Sequence, residues 1–129
     1  MKEEEKYKNS SLDDKRRTEI VGKIEAVLAD KELLCSEDMS LKRLADLTAT
    51  PYKLVSQSIN EHWQKNFSQL LAEYRIHEAC CRMQDRDRYG SYSIEGIGAS
   101  VGFHTRSNFV TTFKRITGLT PSEYISEIK

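Results

Sequence analysis

The sequence predicts an all-α protein in which an N-terminal helix precedes two helix-turn-helix motifs joined by a long linker helix. Apolar side chains recur at three- and four-residue spacing, and no segment of the 129 residues shows the alternation typical of a strand. A short pattern also occurs twice, as SLKRLA at residues 40–45 and as SIEGIG at residues 93–98. In each copy a capping Ser precedes two apolar residues and a small residue, which is the pattern of a short helix crossed closely by a second one.

The N-terminal part divides into two segments. Residues 1–11 are charged and polar, which predicts a disordered tail or linker. Residues 12–38 form the N-terminal segment, whose helix is predicted to be capped by Ser11 and to end near Leu34. This helix either packs on the first motif or mediates dimerisation. Its apolar positions are Ile20, Val21, Ile24, Val27 and Leu28.

The double helix-turn-helix domain is predicted over residues 39–129, with the first motif at 40–62. Ser40 caps its first helix, and Thr50 caps a recognition helix whose first residue is Pro51. The inward positions of that recognition helix are Val55 and Ile59.

The linker helix is predicted over residues 67–84 and is followed by a charged loop at 85–92. The second motif spans 93–117, with Ser93 and Thr105 as N-caps. Gly118 ends the second recognition helix, and Thr120-Pro121 begins a last short helix. The inward positions of the second recognition helix are Phe109, Phe113 and Ile116.

Charge and cysteine content narrow the class of protein. The net charge is zero. Residues 1–39 carry 8 Lys/Arg against 11 Asp/Glu, whereas residues 40–129 carry 12 against 9, so the basic excess lies with the motifs. The three cysteines include an adjacent pair, which favours a reduced, intracellular setting over a disulfide framework. No apolar run is long enough to span a bilayer, and the N-terminus lacks the apolar core of a signal peptide.

Residues 40–124 resemble the C-terminal DNA-binding domain of the AraC/XylS family of bacterial transcription regulators. The resemblance is strongest in the second half, in the segments IEGIGASVGF, SNF, FKR and TGLTPSEY. The segment NFSQLLAEYRIHEA at 66–79 resembles the linker helix of the family. Residues 12–38 resemble the helix that precedes this domain in regulators with a membrane-embedded sensor, which implies a cytoplasmic fragment of a longer, membrane-anchored chain.

The resemblance implies sequence-specific binding of double-stranded DNA. Two recognition helices would enter successive major-groove segments, about one DNA turn or roughly 34 Å apart. It also implies RNA polymerase as a partner, and a homodimer formed through the N-terminal helix or a missing sensor domain. The sequence predicts no enzyme activity, no cofactor, no metal and no small-molecule site.

The predicted DNA contacts lie on the outward faces of the two recognition helices. Arg106 suits guanine and Asn108 suits adenine, whereas Lys114 and Arg115 suit phosphates. The full set of predicted contacts is Lys53, Ser56, Gln57, Asn60, Thr105, Arg106, Ser107, Asn108, Thr111, Lys114 and Arg115. The resemblance marks Lys53, Ser56, Gln57, Arg106, Ser107 and Thr111 as positions that contact the groove in the family.

The sequence departs from the family pattern at three places, two of which weaken the first motif. Gln57 stands where members often have Arg, and the segment HWQ at 62–64 stands where they usually have Gly. Gly98 replaces a frequent Ala, which predicts a cost of about 1 kcal/mol in helix stability. Net neutrality and the weaker first motif favour the alternative function, a helix-turn-helix module that binds protein without binding DNA.

Three further residues are interpreted at sequence level. Leu54 is predicted on the exposed side of its helix, where it contacts either a thymine methyl group or Trp63. Arg75 is predicted to pair with Glu78, with a phosphate contact as the alternative. The segment HEACC at 77–81 clusters possible metal ligands, but buried thiols and a surface histidine are the favoured interpretation.

Overall fold

The protein is described by a computed structural model over residues 12–128. Within this range the chain is all-α, as predicted, and no strand is present. None of these helices is long and apolar enough to cross a membrane. The helices are α1 (Asp14–Ala29), α2 (Lys31–Leu34), α3 (Leu41–Leu47), α4 (Tyr52–Trp63), α5 (Phe67–Gln84), α6 (Arg86–Tyr89), α7 (Ile94–Ser100), α8 (Arg106–Thr117) and α9 (Pro121–Ile128).

The helices group into two compact units, each containing one helix-turn-helix motif. Among the described residues, the first unit comprises 12–33 and 39–70, and the second comprises 34–38 and 71–128. The boundary falls within the linker helix α5, so that its first turn belongs to the first unit and its remainder to the second.

The first unit is built on the apolar stripe of α1. This stripe packs against α3 and α4, which supports the packing role predicted for the N-terminal helix. The buried side chains are Ile20, Val21, Ile24 and Leu28 from α1, Leu44 and Ala45 from α3, and Leu54, Val55, Ser58 and Ile59 from α4.

The N-terminal helix is shorter than predicted because Asp30 interrupts it. α1 ends at Ala29, and the Asp30 carboxylate accepts a hydrogen bond at 3.0 Å from the backbone N–H of Glu32, which starts the separate turn α2. At the other end Asp13 is the N-cap and accepts from the N–H of Arg16 at 2.7 Å. Ser11 and the tail at 1–11 lie outside the described residues.

The turn of the first motif differs from the prediction. Thr50 is not an N-cap, because its hydroxyl donates backwards to the carbonyl oxygen of Thr48 at 2.9 Å, and Pro51 is the N-cap without a side-chain bond. Ala49 closes the turn with φ 49°, in the left-handed region.

On α4, Leu54 is only 8% exposed, so the predicted exposure of Leu54 is wrong. The buried face of α4 is two rows wide, since Ser58 is buried one turn after Leu54.

The second unit is built around an aromatic cluster. Phe109 contacts Phe103 and Phe113, with ring centroids 5.3 and 5.7 Å apart. A Cβ atom added to Gly98 would lie 2.7 Å from the ring of Phe109, so this crossing requires glycine. Glycine at position 98 is predicted to lower helix stability, but it allows the close packing of Phe109. The surrounding core residues are Ile76, Ala79, Met83, Ile97 and Val101.

The segment predicted as a loop at 85–92 contains the helical turn α6. The carboxylate of Asp85 accepts from the backbone N–H of Arg88 at 3.2 Å, which starts the turn. The guanidinium of Arg82 lies 5.2 Å from the ring centroid of Tyr89 and packs this turn against α5.

Candidate nucleic-acid interface

The second recognition helix α8 has defined ends, as predicted. The hydroxyl of Thr105 accepts a hydrogen bond from the N–H of Asn108 at 3.1 Å, and Gly118 ends the helix in the left-handed region with φ 85°. A helix fixed at both ends presents its side chains in a defined register.

The two faces of α8 are sharply different. Phe109, Thr112 and Phe113 are buried, whereas Ile116, predicted to be buried, is half-buried because it lies near the edge of the aromatic cluster. The structure places six of the predicted contact residues at exposed positions of this helix: Arg106, Ser107, Asn108, Thr111, Lys114 and Arg115. The predicted cap Thr105 is exposed next to them.

Arg75 holds the turn before α8 in place. It donates to the carbonyl oxygens of Leu34 at 2.9 Å, Ser36 at 2.6 Å and Gly102 at 3.4 Å. A Cβ atom on Gly102, whose φ is 107°, would lie 2.7 Å from the guanidinium carbon of Arg75. Burial lowers the pKa of Arg75, and the three carbonyl oxygens compensate the desolvated charge.

The structural role predicted for Arg75 is therefore confirmed, but its predicted partner is wrong. Glu78 pairs instead with Arg82 at 2.9 Å. Arg82 also donates at 3.0 Å to the carbonyl oxygen of Ser100, the last residue of α7, and so satisfies that helix end. Both arginines extend from the linker helix and position the second motif.

The outward face of α4 is less exposed than that of α8. Lys53 and Asn60 are exposed, whereas Ser56 and Gln57 are half-buried. These four predicted residues lie together along a shallow surface groove of about 380 Å³. Its lining residues are Tyr52, Lys53, Ser56, Gln57, Asn60 and Glu61.

Glu61 is a member of this face that the sequence interpretation missed. Its carboxylate accepts from the Gln57 amide at 2.8 Å and from the Arg17 guanidinium at 2.7 Å. Arg17 also pairs with Asp14 at 2.6 Å, within α1. The four-residue spacing of Gln57 and Glu61 signals their contact. No local signal reveals Arg17, because 44 residues separate it from Glu61.

The exit from α4 is left-handed although no glycine stands there. Gln64 takes the left-handed position with φ 53°, where a glycine would carry no steric penalty. Its N–H donates to the carbonyl oxygen of Asn60 at 3.0 Å, which is the closing bond of a left-handed helix end.

The HEACC segment does not form a ligand cluster. His77 and Cys81 are exposed on α5, and Cys80 is half-buried. Burial raises the pKa of the Cys80 thiol, which keeps it protonated at neutral pH. Within residues 12–128, no group of three or more His, Cys, Asp or Glu side chains is arranged to hold a metal ion.

Comparison with known proteins supplies the family. A family model described as a helix-turn-helix domain matches residues 44–127. The transcriptional regulator GadX of Escherichia coli K12 is 30% identical over 89 residues, which are 69% of this chain and 31% of GadX. The chain belongs to the AraC/XylS family. It therefore belongs to a family of transcription regulators, not of enzymes, and spans about a third of the length of the curated relatives it matches.

Solved structures share the AraC/XylS fold seen here. A transcriptional regulator from Chromobacterium violaceum with an AraC-type DNA-binding domain has a TM-score of 0.72 at 18% identity, covering 90% of this chain and 96% of that one. The C-terminal domain of AraT, a response regulator from Geobacillus stearothermophilus, has a TM-score of 0.69 at 20% identity, covering 84% of each chain. The family shown by the family model and by GadX favours DNA binding over the protein-binding module without DNA binding.

Proposed function

We propose that this chain is the part of an AraC/XylS regulator that binds double-stranded DNA sequence-specifically, with α8 as the dominant reading helix. The observation that carries the proposal is the exposed face of α8. Three positive side chains and several short polar ones lie there, on a helix fixed by Thr105, Gly118 and the aromatic cluster. Short side chains allow close approach to base edges, and the positive charges attract phosphates.

The roles on α8 follow from the side chains. Arg106, at the N-terminus of the helix, pairs bidentately with guanine, and Lys114 and Arg115 contact phosphates. Asn108 reads adenine. Its Oδ1 accepts from the hydroxyl of Thr112 at 3.3 Å, which orients the amide, and a second lone pair of that oxygen remains for the adenine amino group.

We propose the first motif as the weaker reader. The α4 face would enter a neighbouring major-groove segment and present Lys53 to phosphate and Ser56, Gln57 and Asn60 to bases. Two of these side chains are half-buried, and Glu61 lies beside them, so this face offers DNA less exposed positive charge than α8 does.

The remaining family-level roles are proposals as well. The regulator would act in the cytoplasm and contact RNA polymerase, and any homodimer would form through α1 or a sensor domain. Since α1 buries its apolar stripe within the first unit, we expect this chain to be a monomer of 14.9 kDa without DNA. Light scattering during size-exclusion chromatography measures this mass, and a stable mass of twice that value would assign dimerisation to this chain.

The DNA-binding proposal is tested by selection and titration. The chain first selects its preferred sequence from a library of randomised duplexes, each about 30 bp long. Fluorescence anisotropy then measures the Kd for the enriched duplex at salt concentrations from about 50 to 200 mM. We expect Kd to rise steeply with salt because phosphate contacts release counterions. Arg106→Ala should raise Kd by about fivefold or more, as expected for loss of a base contact.

Lys23→Ala is the matched control, because Lys23 is exposed on α1 and its removal deletes the same charge away from the recognition faces. It should change Kd less than twofold. Two results would overturn the proposal: no saturable binding at the lowest salt, or equal effects of Arg106→Ala and Lys23→Ala.

A further inference from the structure

The two recognition helices carry opposite charges at one equivalent position. α4 begins at Tyr52 and α8 at Arg106, and with this alignment Glu61 corresponds to Arg115. Glu61 is the acidic residue among those lining the groove on α4. A carboxylate at this position repels DNA phosphates unless a nearby cation balances it.

That cation comes from the N-terminal helix. One guanidinium nitrogen of Arg17 donates to Glu61 at 2.7 Å, and the other donates to Asp14 at 2.6 Å. The side chains of Arg17 and Glu61 are 29% and 37% exposed, so water screens this pair less than a fully exposed one. Because α1 packs on α4, the pair is held by tertiary structure.

The same carboxylate also orients Gln57. Its second oxygen accepts one of the two amide hydrogens of Gln57 at 2.8 Å. A glutamine reads adenine with one amide N–H and the amide oxygen, and both remain available on Gln57 when Glu61 takes the other N–H. Glu61 thereby fixes which way the amide points before DNA arrives, and Arg17 fixes Glu61.

We propose that Arg17 is a specificity-determining positioning residue: it offsets the charge of Glu61 in the groove of the first motif and, through Glu61, orients Gln57 toward its base. This inference rests on the proposed DNA-binding function. It gives the N-terminal helix a part in reading DNA, although Arg17 itself touches no base. Two competing roles make different predictions: a direct phosphate contact by Arg17, and an ion pair that only fastens α1 to α4.

The test uses the whole chain and the duplex that it selects from the randomised library. Kd is measured on that duplex and on each of its single base-pair substitutions. Gln57→Ala identifies the base pair read by Gln57 as the position where preference falls by about fivefold or more. Arg17→Ala should reduce preference at the same base pair and raise Kd several-fold, because it leaves Glu61 unbalanced.

A double-mutant cycle separates the competing roles. Glu61→Gln removes the negative charge, so that Arg17→Ala in this background no longer leaves a carboxylate unbalanced. Arg17→Ala should then raise Kd by less than half the factor it gives in the unmodified chain. Arg16→Ala removes the same charge from the neighbouring exposed position and should change neither quantity.

Each result decides the inference. If Arg17→Ala weakens all duplexes equally, with or without Glu61→Gln, Arg17 is a phosphate contact and the proposal is overturned. If Arg17→Ala lowers only the melting temperature, the ion pair of Arg17 and Glu61 only stabilises the packing of α1 on α4, and the proposal is again overturned. Should Arg17→Ala fail to fold, Arg17→Lys keeps the charge and should retain affinity while losing part of the preference. Absence of binding by the unmodified chain would overturn the proposed function itself.

Discussion

The two helix-turn-helix motifs share a geometry but fix it by different means. In the second motif, a residue from outside the motif holds the turn, since Arg75 donates to the carbonyl oxygen of Gly102, and Phe109 packs against Gly98 at the crossing. In the first motif, the turn is closed locally, with the hydroxyl of Thr48 donating to the carbonyl oxygen of Leu44 at 2.8 Å. The motif whose turn is held by a distant residue carries the more exposed, more basic face.

This difference shows that two motifs with the same fold can present recognition helices of different charge and exposure. The second motif concentrates tertiary support behind α8, which leaves the outward side chains of α8 free to be short and polar. The first motif uses tertiary contacts on its outward side instead, where Arg17 and Gln57 engage Glu61.

The largest expected effect is loss of the Arg75 support. Arg75→Met removes the donor from three carbonyl oxygens and should lower the free energy of unfolding by about 3 kcal/mol, since buried unpaired acceptors are costly. Urea titration measures the loss, and hydrogen exchange should show it in α8 rather than α4. Thr48→Val, which deletes the local bond in the first motif, should cost about 1 kcal/mol. Equal protection changes in α4 and α8 would contradict the distant support of the second motif.

The next effect tests the close crossing in the second motif. Gly98→Ala gains helix propensity but places a Cβ 2.7 Å from Phe109, so we expect a net loss of about 1 kcal/mol. Gly22→Ala is the matched control, because nothing lies within 4 Å of its added Cβ on α1, and it should stabilise by about 0.5–1 kcal/mol. Thermal unfolding measures both, and a stabilising Gly98→Ala would show that the crossing tolerates the alanine found at Ala45.

A smaller effect concerns the C-terminal ends of the two recognition helices. We expect substitutions at these two ends to change the free energy of unfolding in opposite directions. Gln64→Gly should stabilise by up to about 1 kcal/mol, because its φ of 53° costs a side chain but not glycine. Gly118→Ala should destabilise by about 1 kcal/mol at φ 85°, where no neighbour lies within 4 Å and only backbone strain acts. Chemical denaturation measures both. Effects of the same sign would mean that the two ends are not equivalent.

Much of the fold could be predicted from the sequence because its determinants are local. Helical periodicity and the capping side chains of Ser40, Ser93 and Thr105 locate helix starts within a few residues. Gly118 likewise marks a helix end by its own backbone freedom. Thr50 does not cap α4, because its hydroxyl has a competing acceptor two residues back, the carbonyl oxygen of Thr48, which no capping rule weighs.

The tertiary determinants could not be predicted in the same way. Arg75 has an acidic neighbour at the right spacing, yet it binds carbonyl oxygens 27 to 41 residues away. At the candidate site, helical periodicity predicts which residues of α8 are exposed, but it does not predict the contact of Arg17 with Glu61. Spacing rules predict contacts between residues three or four positions apart on one helix. The contacts of Arg75 and Arg17 depend instead on which segments pack together in the fold.

The smallest effect distinguishes the helices that follow each motif. α5 and α9 begin with the same reciprocal cap, but its chemistry differs. In the first, Asn66 and Gln69 exchange backbone-to-side-chain bonds at 2.9 and 2.8 Å. In the second, Thr120 and Glu123 do so at 2.8 and 3.1 Å. Only the second cap contains a titratable group.

The cap of α9 should therefore make the second unit sensitive to acid. The bonds from Thr120 lower the pKa of Glu123 below its ordinary value of 4.5, so the charged form stabilises the fold above that pH and loses this contribution as pH falls through the lowered pKa. Glu123→Gln should be less stable than the unmodified chain at pH 6, and the difference should vanish as the carboxyl protonates. Gln69→Glu should introduce the same dependence at α5. Thermal melts across pH 3–6 measure both, and a difference for Glu123→Gln that persists at pH 3 would show that charge is not what strengthens this cap.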